Sequence, residues 1–223
     1  VLRLNKSLYG LKQASYNWFA KLSNGLQDRG FVQSSIDPCV FFGTKCIVLT
    51  YVDDCIIISD TCERINKLIQ SLHDGDENFV LQDEGTIDKY LGVEIRQLDD
   101  SSFELTQPFL IERITKFLGI DNGRTNEKLT PVGKPLLNRD LNGVSRKYDW
   151  EYRAAIGMLT YLTGSVRPDI AMAVHQCARF SINPKRLHEQ AVMRIGRYLL
   201  TTKEKGIIYR PDRLKGIEVY VDA

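Results

Sequence analysis

Residues 46–59 read CIVLTYVDDCIIIS and set two adjacent carboxylates between two apolar runs. Both runs are rich in β-branched residues, which favour strands, so the pattern predicts two buried β-strands. The short Val52-Asp53-Asp54 segment between them can then only be a tight turn. We therefore expect a hairpin that presents Asp53 and Asp54 at its tip.

Two neighbouring carboxylates repel each other, and one of them tends to bind a proton unless a cation lies close by. A hard divalent ion such as Mg²⁺ removes this conflict, because it prefers oxygen ligands. Pairs of such ions, held about 3.5–4 Å apart, support phosphoryl transfer. Asp-Asp is also common in ordinary turns. The dipeptide alone leaves both interpretations open, and the flanking apolar strands favour the metal site.

The length of 223 residues is enough to bury roughly 70% of the unfolded surface in one or two domains. No apolar run reaches the roughly 18 residues of a membrane span, and no secretory signal is visible. The chain starts at Val1 and ends at Ala223 within a strand-like run. We therefore expect a piece of a longer polyprotein or of a pseudogene, with no membrane partner.

Charge and cysteine content suggest an intracellular protein that handles nucleic acid. Residues 1–120 carry 12 Lys and Arg against 17 Asp and Glu, a net charge of −5, whereas residues 121–223 carry 18 against 11, a net charge of +7. This imbalance suits a metal-dependent enzyme acting on nucleic acid, although it also occurs in proteins that bind none. The five cysteines lack zinc-site spacing and lie mostly in apolar runs, which predicts reduced, buried thiols.

The first half of the chain is predicted to surround the hairpin with helices and short strands. At the start of its first helix, Gly10 precedes Lys12 and Gln13. This start is either solvated, or it is a backbone approach site that faces a phosphate or a template strand. The predicted elements are helices over 8–27 and 62–73 and strands over 39–42 and 79–81.

The second half is predicted to begin with another hairpin and to continue with helices. Gly92 lies within its first strand and marks a bulge or a close backbone approach. Arg194 and Arg197 share one helix face, which is either solvated or in contact with phosphates. The predicted elements are strands over 90–95, 103–106, 207–210 and 218–222, helices over 108–118, 150–163, 168–180 and 188–200, and a linker over 121–148.

Tyr51 to Asp54 resembles the YxDD motif of reverse transcriptases, and further stretches strengthen this resemblance. The ordered set resembles the reverse transcriptase of copia-type (Pseudoviridae-like) LTR retrotransposons, from the C-terminal part of the polymerase domain to the start of RNase H. YxDD alone is weakly specific, whereas the ordered set is specific and covers nearly the whole chain. The further stretches are SLYGLKQA at 7–14 with Trp18, YLGVEI at 90–95, RPD at 167–169 with the helix around Pro184 and His188, and VYVDA at 219–223.

The resemblance implies roles for individual residues. Asp53 and Asp54 would hold two Mg²⁺ ions, or Mn²⁺ in their place, with Asp53 favoured as the direct ligand and Asp54 partly structural. Tyr51 would pack near the primer end, and Val52 would lie beside the incoming nucleotide. The other implied site residues are Tyr9, Gly10, Lys12 and Gln13 on the nucleotide and template side, Leu91, Gly92 and Val93 in the primer grip, and Asp222 as the first RNase H carboxylate.

The sequence departs from the family pattern at three points. The family has a further metal-binding aspartate upstream of residues 7–14, which we expect to lie outside this sequence together with the fingers. Tyr16 stands where the family often has arginine, which puts a contact there in doubt. Gln82 stands where lysine is frequent, so a lysine general acid cannot be assigned, and Lys89 is an unsupported substitute.

These observations predict an α+β chain in three parts. In the parent protein we expect an RNA-directed DNA polymerase, a nucleotidyltransferase that extends a primer 3′ end by two-metal phosphoryl transfer. The fragment alone is expected to be inactive, because the further aspartate is missing. The three parts are a partial palm with an antiparallel sheet over 1–107, a helical thumb and connection over 108–203, and strands that lead into a truncated RNase H domain over 204–223.

The expected partners are an RNA template, a DNA primer and product, deoxynucleoside triphosphates, and the rest of the Pol polyprotein with its fingers, RNase H and integrase. The expected location is a cytoplasmic particle or the nucleus.

Two other functions stay open. A non-catalytic remnant of a decayed element would bind nucleic acid in a salt-sensitive way without turnover. An unrelated metal-dependent hydrolase would need more ligands, and His73, His175 and His188 show no ligand spacing.

Overall fold

The computed structural model describes residues 7–8, 10–75, 79–99, 101–120, 128–133 and 137–212. The chain divides into two compact units, residues 1–86 (unit 1) and residues 87–223 (unit 2). In the described ranges, each unit combines helices with a four-stranded antiparallel sheet, which confirms the predicted α+β class.

The helices and strands have the following bounds. In unit 1 they are α1 (Ala14–Gln27), β1 (Val32–Gln33), β2 (Val40–Gly43), β3 (Cys46–Tyr51), β4 (Asp54–Ser59) and α2 (Cys62–Asp74). In unit 2 they are β5 (Lys89–Tyr90), β6 (Val93–Gln97), β7 (Phe103–Thr106), α3 (Pro108–Phe117), α4 (Tyr152–Ser165), α5 (Ala171–Ala178), α6 (Arg186–Thr201) and β8 (Ile207–Tyr209).

Unit 1 contains the predicted hairpin. Strands β3 and β4 pair from Cys46 opposite Ser59 to Tyr51 opposite Asp54. Because Asp54 already belongs to β4, the turn consists of two residues, Val52 and Asp53, rather than the predicted three. The sheet order is β1-β2-β3-β4.

The two faces of this sheet differ in burial. On one face Phe41, Cys46 and Val48 are buried with apolar residues of α1 and α2. On the other face Phe42 and Ile58 remain 48% and 49% exposed. Since cross-strand partners share a face, one row of apolar side chains lies outside this core. The prediction that both strands are buried is therefore wrong for that row.

Two predicted elements of unit 1 differ from the structure. The first helix begins at Ala14 rather than at Leu8, because Gly10 adopts a φ of +94° and residues 10–13 form turns instead. The predicted strand over 79–81 is not a strand. Phe79 is buried in the core at 1% exposure, whereas Val80 next to it is 92% exposed. A single buried apolar residue in an irregular segment and a short strand give similar sequence patterns.

The sheet of unit 2 has the order β5-β6-β7-β8. The predicted hairpin is present as β6 and β7, with Glu94 opposite Thr106 and Gln97 opposite Phe103. Gly92 is not inside a strand, which corrects the predicted bulge. Leu91 and Gly92 form a two-residue turn between β5 and β6 with φ values of +49° and +80°. Positive φ at both positions is typical of a type I′ hairpin turn.

The helices of unit 2 enclose its main core, which buries one face of each of α3, α4, α5 and α6. The predicted helix over 150–163 begins two residues later, at Tyr152, and runs to Ser165. The predicted helix over 168–180 is a 3-10 turn, Pro168–Ile170, followed by the shorter α5. The predicted strand over 218–222 lies outside the described residues.

The described parts of the predicted linker, 128–133 and 137–148, contain no helix or strand. They are nevertheless bound to α6. The backbone N–H groups of Lys147 and Tyr148 donate to the carboxylate of Glu189, which is fully buried. Arg146 and Arg186 form ion pairs with the same carboxylate, at 3.5 and 2.7 Å. Glu189 therefore fixes this segment to the helix.

A second ion pair, formed by a buried arginine and a partly exposed aspartate, lies within the RPD stretch. The Arg167 guanidinium is 1% exposed and donates two hydrogen bonds to Asp169, at 2.9 and 2.8 Å. It also donates to the carbonyl oxygen and hydroxyl of Thr202 at the end of α6. Tyr198 donates its hydroxyl to Asp169 at 2.7 Å. The stretch thereby binds the α6 C-terminus.

The cysteines are free thiols, as predicted, but only Cys46 and Cys177 are buried. Cys55 and Cys62 are exposed, so the prediction of mostly buried thiols is wrong. In the part of the chain that the structure describes, no helix combines the length and apolar character that a membrane crossing requires.

Candidate active site

The tip of the β3–β4 hairpin carries the two predicted metal-binding carboxylates. Asp53 lies in the turn, and Asp54 is the first residue of β4. Both side chains are exposed, as are the adjacent Tyr51 and Val52. Among the described residues, neither carboxylate has a hydrogen-bonding or ion-pairing partner. The hairpin thus presents two oxygen ligand groups with free coordination capacity.

The turn has an unusual backbone. Val52 adopts a φ of +55°, a rare conformation for a β-branched residue that costs on the order of 1–3 kcal/mol. Its carbonyl oxygen accepts a hydrogen bond of 2.7 Å from Nε1 of Trp18 in α1. The Trp18 ring packs edge-to-face against Phe79 in the core, with 5.7 Å between centroids. Helix α1 therefore holds the turn in place.

The charge of the carboxylates influences the adjacent thiol. Surrounding protein atoms raise the pKa of Cys55 to about 11 by desolvation, although the residue as a whole is exposed. The negative charges of Asp54 and Asp53 raise this pKa as well. At neutral pH Cys55 is therefore a neutral thiol.

The donor set at the tip fits a hard divalent cation, since carboxylate oxygens are the ligands that Mg²⁺ and Mn²⁺ prefer. Within the described ranges, no three His, Cys, Asp or Glu side chains converge as a metal-binding group. Asp53 and Asp54 would supply two ligands of such a site, and the remaining ligands would come from water, substrate phosphates or other carboxylates.

The segment predicted to face the nucleotide and template precedes α1. Gly10 requires glycine because of its positive φ rather than because of lack of space. Lys12 and Gln13 are exposed. Trp18, which contacts Val52, follows Gln13 by five residues, or roughly 7.5 Å along a helix axis. Lys12 and Gln13 thus lie just before the helix whose Trp18 contacts the hairpin turn. Tyr9 and Asp222 lie outside the described residues.

The predicted primer grip residues form the β5–β6 turn of unit 2. The carbonyl oxygen of Leu91 accepts a hydrogen bond of 3.3 Å from the hydroxyl of Tyr161 in α4. Val93 is half-buried and packs against the helical core. The ammonium group of Lys89 lies 4.7 Å from the centre of the Phe109 ring. Residues 91–93 are therefore supported by α4 and the core.

The histidines do not form a metal site in the described ranges. His188 is fully buried, and its Nδ1 accepts a hydrogen bond from the Lys185 N–H at 2.8 Å. Its Nε2 then carries the proton and donates to the Asn138 carbonyl oxygen, also at 2.8 Å. His73 and His175 are exposed. These contacts give His188 a structural role and do not support the hydrolase alternative.

Sequence reasoning missed the bond between Trp18 and Val52. It placed Trp18 within the predicted first helix and with the SLYGLKQA stretch, without a contact to the hairpin. An indole N–H on a packed face needs an acceptor, and this requirement was the available signal. The acceptor lies 34 residues away, at a turn whose carbonyl direction follows from the φ of Val52.

Comparison with known proteins supports the same interpretation. Residues 1–134 match the family described as reverse transcriptase (RNA-dependent DNA polymerase). The chain belongs to this family. No solved structure gives a significant match to it. The reverse transcriptase match covers the hairpin tip, the segment before α1 and the β5–β6 turn.

The curated relatives of this reverse transcriptase chain come from transposons. The chain is 34% identical to the Retrovirus-related Pol polyprotein from transposon TNT 1-94 of Nicotiana tabacum, over 91% of this chain and 16% of that protein. It is 30% identical to the Retrovirus-related Pol polyprotein from transposon RE1 of Arabidopsis thaliana, over 100% of this chain and 15% of that protein. It is 26% identical to the putative transposon Ty5-1 protein of Saccharomyces cerevisiae, over 100% of this chain and 72% of that protein.

These matches confirm the resemblance to copia-type LTR retrotransposon reverse transcriptases. The chain spans about a sixth of the length of the two Pol polyproteins.

Proposed function

We propose that this chain supplies part of the active site of an RNA-directed DNA polymerase within a longer Pol polyprotein. The observation that supports the proposal best is the hairpin tip. Asp53 and Asp54 are exposed there without partners among the described residues, on a turn that Trp18 fixes. Carboxylates placed for structure alone normally have donors, as Glu189 and Asp169 do.

In this proposal Asp53 and Asp54 hold two Mg²⁺ ions, for which Mn²⁺ can substitute. When bound, such a metal pair stabilises the attacking and leaving oxygens of phosphoryl transfer. Asp53 is the direct ligand, and Asp54 contributes partly through the turn structure. A further carboxylate, upstream of residues 7–14 in this family, would complete the set. The 223-residue chain alone is therefore proposed to extend no primer.

The other residues of the proposed site position the substrates. Tyr51 packs near the primer end, and Val52 lies beside the incoming nucleotide. The 91–93 turn holds the primer terminus, where Gly92 lets the backbone approach closely. Residues 9–13, through Tyr9, Gly10, Lys12 and Gln13, contact the nucleotide and template.

The test compares primer extension by a chain extended upstream into the Pol polyprotein with that of its Asp53→Asn variant. We expect the variant to lose more than about 100-fold in rate, because even an outer-shell partner of a metal ligand is worth 10–100-fold. Asp60→Asn is the matched control. Asp60 follows the other end of β4 and pairs with Lys45 and Arg64, so its loss should leave the rate unchanged. Equal rates for Asp53→Asn and wild type would refute the proposal.

A non-catalytic nucleic-acid-binding remnant is the alternative, and the basic second half of the chain favours it. That alternative predicts salt-sensitive binding but no extension even by the upstream-extended chain. An intact reading frame upstream and downstream would favour the polymerase, and stop codons would favour decay. For the polymerase, we propose that the RNA template, DNA primer, deoxynucleoside triphosphates and remaining Pol domains are the partners, in a cytoplasmic particle or the nucleus.

A further inference from the structure

Two adjoining cavities in unit 2 are lined by basic side chains. The first has a volume of about 250 Å³ and lies between the 128–133 segment and helices α5 and α6. The second is open, has a volume of about 630 Å³ and lies between residues 137–139 and 179–180. Leu137 lines both. Gln176, in the wall of the first cavity, accepts a hydrogen bond of 3.0 Å from Arg179, in the wall of the second.

The walls of both cavities contain cations and no carboxylate. We call the cations the basic strip. Among the described residues, no member of the strip has an acidic partner. The members are Lys128, Arg194 and Arg197 in the first cavity and Arg139 and Arg179 in the second.

Other cations of unit 2 differ in this respect. Arg96, Arg146, Arg167, Arg186 and Lys203 each form an ion pair with Asp or Glu. Five cations without an acidic partner in the described ranges therefore line two adjoining cavities, and this local excess of positive charge attracts an anion from solution.

The first cavity is built to hold its cations in place. Arg194 donates to the backbone oxygen and hydroxyl of Thr130, at 3.1 and 2.8 Å, which fixes the guanidinium against the 128–133 segment. The Lys128 carbonyl oxygen accepts a hydrogen bond from Thr201. Nε of Arg197 is buried without a hydrogen-bond partner in the described ranges. Because a buried guanidinium nitrogen is costly to leave unpaired, it requires an acceptor.

For these arginines the sequence left two alternatives open, a solvated face or a phosphate-contacting face. Arg194 and Arg197 do share a face, but both are half-buried rather than solvated. The apolar side chains of Pro131, Val132 and Leu187 line the same cavity as Lys128, Arg194 and Arg197. A ligand that alternates anionic and less polar groups matches this arrangement, as phosphates and sugars alternate along a nucleic-acid strand.

We propose that the basic strip binds consecutive phosphate groups of a nucleic-acid strand, independently of its base sequence. The choice of a nucleic acid among polyanions rests on the proposed polymerase function. A strand fits better than a free nucleotide, because the cations extend over two adjoining cavities rather than converging on one point.

The test measures binding of the 223-residue chain to a fluorescein-labelled RNA–DNA hybrid by anisotropy, between 50 and 200 mM salt. Arg139→Gln, Arg179→Gln and Arg197→Gln should each weaken binding about five- to tenfold near 0.1 M salt. Each should also reduce the slope of log affinity against log salt by about 0.9. Two hybrids of unrelated sequence should respond equally. Arg113→Gln, an exposed arginine of α3 outside both cavities, is the control with the same charge change and should alter neither quantity.

Unchanged affinity and slope in the strip variants, or equal losses in Arg113→Gln, would overturn the proposal. Displacement of the hybrid by dATP at an equal concentration of phosphate groups would also overturn it, since the site would then take free nucleotides. The polymerase proposal and the basic-strip proposal can be refuted independently of each other. If the upstream-extended chain extends no primer but the strip variants still lose hybrid binding, the strip assignment stands.

Discussion

The carboxylate pair at the hairpin tip of unit 1 differs from two carboxylates of unit 2 in the partners that each has. In unit 1, Asp53 and Asp54 are exposed on a turn and have no partner among the described residues. In unit 2, Glu189 is fully buried, accepts hydrogen bonds from two backbone N–H groups and Arg186, and forms an ion pair with Arg146. Asp169 accepts bonds from Arg167 and Tyr198. A saturated carboxylate stabilises the fold, whereas an unsatisfied one is available for a ligand.

The same contrast separates the cations of unit 2. Arg167 is buried and bidentate with Asp169, so it is part of the packing. Arg197 is half-buried and leaves Nε without a partner in the described ranges. Charge pairing in the folded state is thus a better indication of function than residue type.

The largest expected effect on stability is that of Glu189→Ala. Removing this carboxylate leaves two arginines and two backbone N–H groups unpaired, so unit 2 should lose about 3 kcal/mol of unfolding free energy. Urea denaturation followed by Trp150 fluorescence, in a Trp18→Phe background, measures this loss. The exposed Glu204→Ala should cost less than about 0.5 kcal/mol. Equal losses of unfolding free energy in the two variants would show that the partners of Glu189 do not stabilise unit 2.

The Asp169→Asn variant tests the ion pair between Arg167 and Asp169 through the pH dependence of the unfolding free energy. Desolvation is the largest single influence and raises the pKa of Asp169, but hydrogen bonds from Arg167 and Tyr198 outweigh it, so this pKa lies below its ordinary value of 3.8. The stabilisation is therefore present above about pH 4 and is lost as the pH falls through the lowered pKa. At pH 7 the variant should lose about 2 kcal/mol, from hydrogen bonds to a charged group.

Unfolding of wild type and Asp169→Asn at several pH values between 2 and 7 measures this effect. The difference in unfolding free energy between the two proteins should shrink as the pH drops below 4. A difference that stays constant down to pH 2 would mean that the charge on Asp169 contributes nothing.

Val52→Gly should stabilise unit 1 by about 1 kcal/mol. Glycine adopts a φ of +55° without steric cost, which removes strain of about 1–3 kcal/mol, and its greater unfolded-state entropy offsets part of the gain. The matched control is Val80→Gly, an exposed valine of unit 1 without positive φ, which should destabilise slightly. Denaturation followed by Trp18 fluorescence distinguishes the two signs.

The smallest expected effect on stability is that of Asp53→Asn, within about 0.5 kcal/mol of wild type. The carboxylate has no partner among the described residues, and its loss also relieves repulsion from Asp54. A loss of more than 1 kcal/mol in the same denaturation experiment would show that Asp53 supports the fold, and the contrast with Glu189 would then be lost.

Much of the local structure follows from short-range patterns. The β-branched runs around Asp53 and Asp54 predict β3 and β4, and the 3.6-residue spacing predicts α2 to within one residue. The errors lie where one residue overrides the pattern. Gly10 delays the start of the first helix through its positive φ, and Leu91 with Gly92 turns a predicted continuous strand into a hairpin turn.

The sequence by itself determined the family, the α+β class and the carboxylate pair, because these depend on neighbours within a few positions along the chain. Only the tertiary structure decided which charges are paired. Glu189 meets Lys147 42 residues away, Arg167 meets Thr202 35 residues away, and Trp18 meets Val52 34 residues away. Such pairs depend on how helices and strands pack. The structure therefore separates Asp53, Asp54 and Arg197, which have no charged partner among the described residues, from the charges that hold the fold.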